Sequence, residues 1–600
     1  MPILTALKSA ATLADIAPLI GFKPASLAYV LYGIPSASRY TTFNIPKRAG
    51  GLRSISAPNL KLKLAQRNLS ALLQDCWETI CLTNNRKDNI AHGFKRGRSI
   101  VSNARLHRNR NYVFNVDLKD FFPSINFGRV RGYFIKDSSF QLNPKIATII
   151  AQIACHDNAL PQGSPCSPII SNLIGHVLDI QLVAKAAKAG CTYSRYADDL
   201  TFSTNKAQFP TTIAEQHPTD PNQWTASKSL TKTIIRNGFA INVSKTRMQY
   251  HDSRQEVTGL VVNRRVNVRR EYRYFVRALV HNLFRKGAIE VRDHNGTLQP
   301  ATLQQLHGML CFIDSIDLQN RFVAFTNGAD RNSLGKPAID LTVTEFGLRT
   351  SKAIGGLSCG ERLFRRFLIY KDFYATTKPV VVCEGDTDNV YLLHAIHSLA
   401  AQFPSLIDQP TPAVYQLKIR LYKFFETRTG RILGLGDGGG SVLRTLIENY
   451  KTVAERFLVP PSRHPFIVLV DNDAGSAGVK GILKKYGLAF PPNGGYVHVG
   501  GNLYVMRTPA LPNLPDTCIE DFFDAATKVI VVAGKTFHPA KDFDPQSHFG
   551  KTVFAHRVVR PNASTINFAG FDPILKTIVD IQTQHTATST ASITSALLVP

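Results

Sequence analysis

Nowhere does the 600-residue chain offer an unbroken apolar run of the roughly 18 residues that a membrane-crossing helix needs. No spanning segment is therefore expected. The opening residues Met1 to Lys8 have no basic stretch ahead of an apolar one, so no secretory signal is read there and a cytoplasmic location is expected. Cysteine is sparse and without pattern. The nine residues are odd in number and none stands in Cys-x-x-Cys spacing, which argues against a disulfide framework and against a structural zinc site. Cys166 and Cys383 fall inside motifs discussed below, but as small core residues they are given no role. Internal repeats are absent.

Acid is what the chain lacks most. It holds 43 Asp+Glu against 71 Lys+Arg, a formal charge of +28. The excess sits in one half: residues 1–300 carry 41 basic and 18 acidic side chains, residues 301–600 carry 30 and 25. A surface this positive gains by displacing counterions from phosphates, so nucleic acid is the expected partner. The rival, anionic lipid, would call for a basic amphipathic helix with an aromatic apolar face, and none stands out. The length predicts two to four domains.

Between Ile45 and Ile55 a basic, turn-rich stretch carries Gly50-Gly51, which suits a hairpin between two short strands. Leu62, Leu64, Leu69, Leu72 and Leu73 predict an amphipathic helix. Residues 112–116 read as a short strand ending at Asp117, 173–187 as a helix, 192–203 as two strands around a tight turn, and 257–263 as another strand. Residues 264–286 are read as a helix loaded with Arg264, Arg265, Arg269, Arg270, Arg273, Arg277, Arg285 and Lys286, with only Glu271 opposing them. That face is either solvated or, as favoured here, tracks a phosphate backbone. Residues 326–376 are taken as a linker with some helix near 360–373, and 586–600, rich in Thr, Ser and Ala, as a disordered tail. In the second half, continuous apolar strands at 380–383 and 466–470 alternate with helix, the pattern of a parallel sheet buried on both faces.

Transfer of a nucleotide to a 3′ hydroxyl requires carboxylates that converge from different strands on a pair of divalent cations. Asp117 ends one predicted strand, and Asp198 and Asp199 lie in the turn between two others. Adjacent aspartates alone are far more often a capped turn. The neighbouring runs decide the matter. Asn115-Val116-Asp117-Leu118-Lys119-Asp120-Phe121-Phe122-Pro123, Leu160-Pro161-Gln162-Gly163-Ser164-Pro165, Tyr196-Ala197-Asp198-Asp199-Leu200 and Gly238-Phe239-Ala240-Ile241-Asn242-Val243-Ser244-Lys245 resemble, in order, the palm motifs of bacterial reverse transcriptases. Asn103-Ala104-Arg105-Leu106-His107 and Val257-Thr258-Gly259 resemble two elements that mark the retron branch of that family. The resemblance covers about residues 20–320.

It implies a right-hand α+β polymerase of fingers, palm and basic thumb over 1–325. Asp117 and Asp198 would hold two Mg2+ ions with Asp199 in support, and Phe122 would exclude a 2′ hydroxyl, making dNTP the substrate. Gln162 and Gly163 would lie along the nascent pair, and Lys245 would face the leaving pyrophosphate. Arg53 and Lys47 are candidate triphosphate contacts. Asn103, His107 and the arginines at 264, 265, 269, 270 and 273 would touch RNA. The implied task is to copy a structured noncoding RNA into msDNA, a branched RNA–DNA hybrid.

A second set of carboxylates follows the two apolar strands: Glu384-Gly385-Asp386, then Asp471-Asn472-Asp473. Carboxylates at the C-terminal ends of parallel strands sit where ligands bind in open α/β sheets. The pair resembles the TOPRIM fold, and Ile519-Glu520-Asp521-Phe522 with Phe549-Gly550-Lys551 resembles its OLD-like nucleases. The resemblance implies a Rossmann-like α/β domain over 377–585. In it Glu384 would act in acid/base chemistry, Asp471 and Asp473 would hold one or two Mg2+ ions, and Glu520 and Lys551 would assist. The glycines of 434–441 either cradle a phosphate or form a plain loop. The fusion implies an antiphage nuclease effector. A processing nuclease for msDNA or its RNA, or an inactive nucleic-acid-binding module, remains the alternative, and a homo-oligomer is left open.

Overall fold

The computed structural model describes residues 3–47, 50–85, 89–220, 223–293, 296–327, 357–411, 414–425, 427–436, 439–491, 495–539 and 543–597. They form two compact units, Met1–Arg270 and Glu271–Pro600.

In the first unit, strands Tyr40–Pro46 and Leu52–Pro58 pair antiparallel around a turn in which Gly50 and Gly51 take φ of 88° and 78°, a conformation glycine adopts without strain. Helix Leu60–Thr83 begins at Asn59, whose side chain accepts the N–H of Leu62, and sends Leu69, Leu72 and Leu73 into the core. Helix Ser167–Ala189 ends on Gly190 at φ 69°. By length and composition, with a mean hydropathy of 1.3, that helix could cross a membrane. Here Leu173, Leu178 and Leu182 pack inside the core and Asp179 is buried with them. A four-stranded antiparallel sheet lies against these helices, in the order Thr192–Tyr196, Asp199–Thr204, Tyr112–Lys119, Ala240–Tyr250. The strand expected to stop at Asp117 runs on to Lys119. The single strand expected over 257–263 is instead a small hairpin, Glu256–Val257 with Leu260–Val261, and Thr258 and Gly259 form its tip.

The basic segment is shorter as a helix than its composition suggested. Residues 264–269 are irregular and the helix is Arg270–Lys286, with Val276, Leu279, Val280 and Leu283 buried. The sequence pattern placed a boundary near 325, but this helix and Leu303–Asn327 group with the second unit. Residues 328–356 of the expected linker lie outside the described residues, and its described end is helix Cys359–Ile369. The second unit's sheet runs Arg420–Leu421, Val380–Cys383, Phe466–Val470, Leu503–Arg507, Tyr496–Gly500. It is parallel except for the last strand. The central strands are wholly buried, as their unbroken apolar runs require. Of the tail expected to be disordered, residues 586–597 continue helix Asp572–Leu597, and residues 598–600 lie outside the described residues.

Candidate active site

In the palm sheet Asp117 stands directly opposite Asp199 in an antiparallel pair. Asp198 occupies the two-residue turn beside it, where Ala197 takes φ 54° and the backbone oxygen of Asp198 accepts the Leu118 N–H at 2.9 Å. The neighbouring strand brings two donors to Asp117. Lys245 Nζ bonds Oδ2 at 2.8 Å and Asn242 Nδ2 bonds Oδ1 at 3.0 Å. Burial, and then Asp198 and Asp117 close by, push the Asp199 carboxyl up to about 6. Burial raises Asp198 as well, while Arg53 of the hairpin lies near enough to favour its charged form. Lys245 is raised mainly by its bond to Asp117. Asp117 and Asp199 border a cavity of about 280 Å³ whose wall includes Tyr196, Arg247, Thr258 and Gly259.

Gly163 sits at φ 122°, where a Cβ would meet the Ser56 carbonyl at 2.6 Å, and the Ser56 N–H bonds the Gln162 carbonyl at 2.8 Å. The close approach of the Pro161-Gln162-Gly163 loop to the hairpin is thus what requires a glycine. Phe122 packs edge-on to Phe121, and Phe94 lies 6.3 Å from Phe122 and 6.5 Å from Tyr196 between ring centres. An aromatic group therefore flanks the carboxylates.

Sequence reading missed what holds the Asp198 turn in place. Arg195, fully buried, pairs with Asp179 at 2.8 Å and its guanidinium bonds the Ala197 carbonyl at 3.2 Å. Asp179 also accepts from Tyr193 Oη at 2.8 Å. Gly175 leaves room for that guanidinium, since a Cβ there would lie 2.9 Å from it, and Gly93 does the same for the Ala197 backbone at 2.6 Å. Removing one member of a buried pair leaves the other charge unpaired. Arg195→Met is therefore expected to cost about 3–5 kcal/mol in urea unfolding, with most of the loss recovered in Arg195→Met/Asp179→Leu. An unchanged single variant would contradict the role given to the pair.

Two RNA-binding expectations are corrected. Asn103 and His107 are fully buried. The His107 ring nitrogens bond Ser203 and Ser194 Oγ, each at 2.7 Å, and Ser194 Oγ donates to Asn103 at 2.6 Å. Burial, then Arg110, lowers His107 to about 3, so it stays neutral and ties its helix to the palm hairpin, out of reach of RNA. Arg273 is also engaged, bonding Asp317 at 2.6 and 2.9 Å, and Arg269 pairs with Glu256 at 2.6 Å. Arg264, Arg265 and Arg270 are exposed.

The second set of carboxylates also assembles. Cys383, the last residue of its strand, lies opposite Leu469 in the parallel pair; Glu384 follows it directly and Asp471 follows Val470, one residue beyond that register, so the two carboxylates leave the ends of adjacent strands. The Asp471 N–H donates to Glu384 Oε2 at 3.4 Å, and Asp471 Oδ1 accepts the Ile519 N–H at 3.0 Å. A Cβ on Gly475 would stand 3.0 Å from Asp473 Oδ1 and 3.5 Å from Glu384 Oε1, so Asp473 borders the same spot. Glu520, 1% exposed, bonds Lys551 Nζ through Oε2 at 2.9 Å. Its Oε1 has no hydrogen-bond partner among the described residues. Asp388, not anticipated, accepts the Gly385 N–H at 2.7 Å and is pushed up to about 6 by burial and Glu520. Burial, then Asp388, raises Asp471 to about 8, and burial raises Glu384. Burial opposes the Lys551 charge, but Glu520 outweighs it and raises Lys551. In the 434–441 loop, Asp437 and Gly438 lie outside the described residues, and the Gly439 N–H donates to the Glu384 carbonyl at 3.2 Å.

Among the described residues no three His, Cys, Asp or Glu side chains close a cation cage as they stand. Both sets nonetheless fit a hard divalent ion by donor chemistry. They are oxygen-only, Asp199 and Asp471 are raised by burial and then by neighbouring acids, and Glu520 Oε1 is an unused buried acceptor among the described residues. One consequence is testable with the metal chelated. The proton that Asp471 retains when folded stabilises the chain fully below its ordinary value of 3.8, and this contribution is lost as pH rises through about 8. In EDTA, Asp471→Asn is thus expected to resist urea better than the parent near pH 8 and equally near pH 4. Equal midpoints at both would contradict the assignment.

An antiparallel palm that presents facing aspartates and a third in the adjoining turn defines the polymerase class. Residues 45–275 match the family described as "Reverse transcriptase (RNA-dependent DNA polymerase)". Whole-protein matches narrow the class. The chain is 35% identical over 337 residues to the retron Mx162 reverse transcriptase of Myxococcus xanthus, covering 52% of this chain and 65% of that one. It is 33% identical to the retron Mx65 reverse transcriptase of the same organism, covering 46% and 64%. It is 32% identical to the retron Ec86 reverse transcriptase of Escherichia coli, covering 46% and 77%. The chain belongs to the family of retron reverse transcriptases. It spans slightly less than two thirds of the two Myxococcus proteins.

Proposed function

We propose that the first unit copies a structured noncoding RNA into msDNA using dNTPs. The observation that carries this reading is Asp117 facing Asp199 across the palm, with Asp198 in the turn and Lys245 bonded to Asp117. Asp117 and Asp198, supported by Asp199, would hold two Mg2+ ions, which supply charge neutralisation for the transferring phosphoryl group. The chain's own groups do the rest. Phe122 and its aromatic neighbours restrict the sugar, Gln162-Gly163 offers backbone to the nascent pair, and Arg53 and Lys47 meet triphosphate charge. Lys245, whose ammonium donates a hydrogen bond to Asp117, would face the leaving pyrophosphate as a cation or proton donor.

For the second unit we propose a magnesium-dependent nuclease of the TOPRIM class, with Asp471 and Asp473 as ligands, Glu384 in proton transfer, and the Glu520–Lys551 pair beside them. Its support is that Glu384 and Asp471 follow adjacent buried parallel strands, the Asp471 N–H donating to Glu384, while Asp471 accepts the N–H of Ile519 beside Glu520. In this reading the nuclease is an antiphage effector restrained by msDNA. The test is expression of the chain together with the DNA immediately upstream of its gene. Single-stranded DNA joined to RNA should accumulate, disappear with Asp198→Asn, and keep its length with Glu384→Ala. Absence of such DNA would overturn the first proposal, and altered length would turn the effector into a processing nuclease.

A further inference from the structure

Two helices of the second unit carry arginines four residues apart, which places each pair on one helix face: Arg273 and Arg277 on Arg270–Lys286, Arg362 and Arg366 on Cys359–Ile369. All four line one cleft of about 460 Å³ floored by Leu310, Ile313 and Phe364. The acids in its walls are already engaged. Asp317 holds Arg273, while Asp314 and Glu361 share the buried Arg431. Among the described residues no carboxylate pairs with Arg277, Arg362 or Arg366.

Burial, then Arg456, Arg362 and Arg277, disfavours the charge on Arg366, and Arg277, Arg362 and Arg366 border the one cleft. Such like charges cost stability unless an anion meets them, and guanidinium matches phosphate with paired hydrogen bonds. Tyr274, 52% exposed, lies in the same wall. A flat ring beside a row of cations is the arrangement that takes an unpaired base next to its phosphates. A lipid headgroup would use the cations but not the ring.

We propose that this cleft seats single-stranded nucleic acid, with its phosphates on Arg277, Arg362 and Arg366 and a base on Tyr274. The seat uses neither set of carboxylates and holds a strand without reacting with it. It therefore stands or falls separately from both catalytic readings.

Cys359, an exposed residue, lines this cleft, its Sγ accepting from Arg362 at 3.0 Å, and it provides a local probe in the full-length chain. Alkylation by N-ethylmaleimide, resolved by peptide mass spectrometry, is expected to slow several-fold at Cys359 when oligo(dT) is added. In Arg277→Gln/Arg366→Gln the protection should require higher oligo(dT), with the salt dependence of log K reduced by about 1.4 at roughly 0.7 per phosphate contact on a single strand. Unprotected Cys359 at saturating oligo(dT) in the parent chain would overturn the proposal even if the variant fails to fold. It would also be overturned by undiminished protection in a folded variant, by equal protection from inorganic phosphate alone, or by stronger protection from phosphatidylglycerol vesicles.

Discussion

Asp198→Asn is expected to lower RNA-templated DNA synthesis by about three orders of magnitude or more, while RNA binding is retained. The metal clamp of a phosphoryl-transfer site supplies several kcal/mol of transition-state stabilisation, and each 1.4 kcal/mol is about tenfold in rate. Asn preserves the volume of Asp and leaves intact the bond from the Leu118 N–H to the backbone oxygen of residue 198, so the loss falls on chemistry and not on the turn. Asp117→Asn should be comparably severe, since it removes the charge that engages Lys245 and Asn242 together. The control is Asp120→Asn. Asp120 is exposed on the same motif at φ 47°, a conformation Asn tolerates as well as Asp, and its synthesis rate should stay within about twofold of the parent. Primer extension with labelled dNTP measures all three. An active Asp198→Asn variant would remove the basis for the polymerase site.

Asp471→Asn is expected to abolish metal-dependent cleavage of nucleic acid by a similar factor, again several kcal/mol of lost charge stabilisation, while synthesis continues at the parental rate. The two carboxylate sets belong to different compact units and share no residue, so their losses should be separable. Lys551→Met should also impair cleavage, for a different reason. It leaves Glu520, 1% exposed, as a buried carboxylate without its cation, and destabilisation should accompany the lost activity. Cleavage assays on purified variants, read beside primer extension on the same samples, decide the matter. A parallel loss of both activities in Asp471→Asn would show that the sites are not independent.

The sequence exposed the candidate carboxylates because groups that would converge on one ion must gather at strand ends. Asp117, Asp198 and Asp199 emerge together from neighbouring strands, and Glu384 and Asp471 follow unbroken apolar runs that only a buried parallel sheet explains. What it concealed depends on direction. Asn103 and His107 lie four apart on one face of a short helix, and nothing in their spacing tells that this face turns inward to Ser194 and Ser203. Arg195, beside the most conspicuous motif in the chain, reads as one more surface cation, yet its side chain closes on Asp179 in the core. The basic run at 264–286 was legible as charge, but its acidic partners at Glu256 and Asp317 are distant in sequence. Composition alone favours disorder for the Thr- and Ser-rich tail, whereas the helix that packs Ile574, Leu575, Ile578 and Ile581 into the second unit's core runs on to Leu597.

The most direct test of a palm that makes DNA on RNA is extension of a DNA primer on an RNA template by the purified chain with Mg2+, supplied with dNTPs in one reaction and NTPs in the other. The structure predicts alkali-resistant product from dNTPs only, and relaxed discrimination in Phe122→Ala. Failure to extend with dNTPs, or equal extension with NTPs by the unaltered chain, would contradict it.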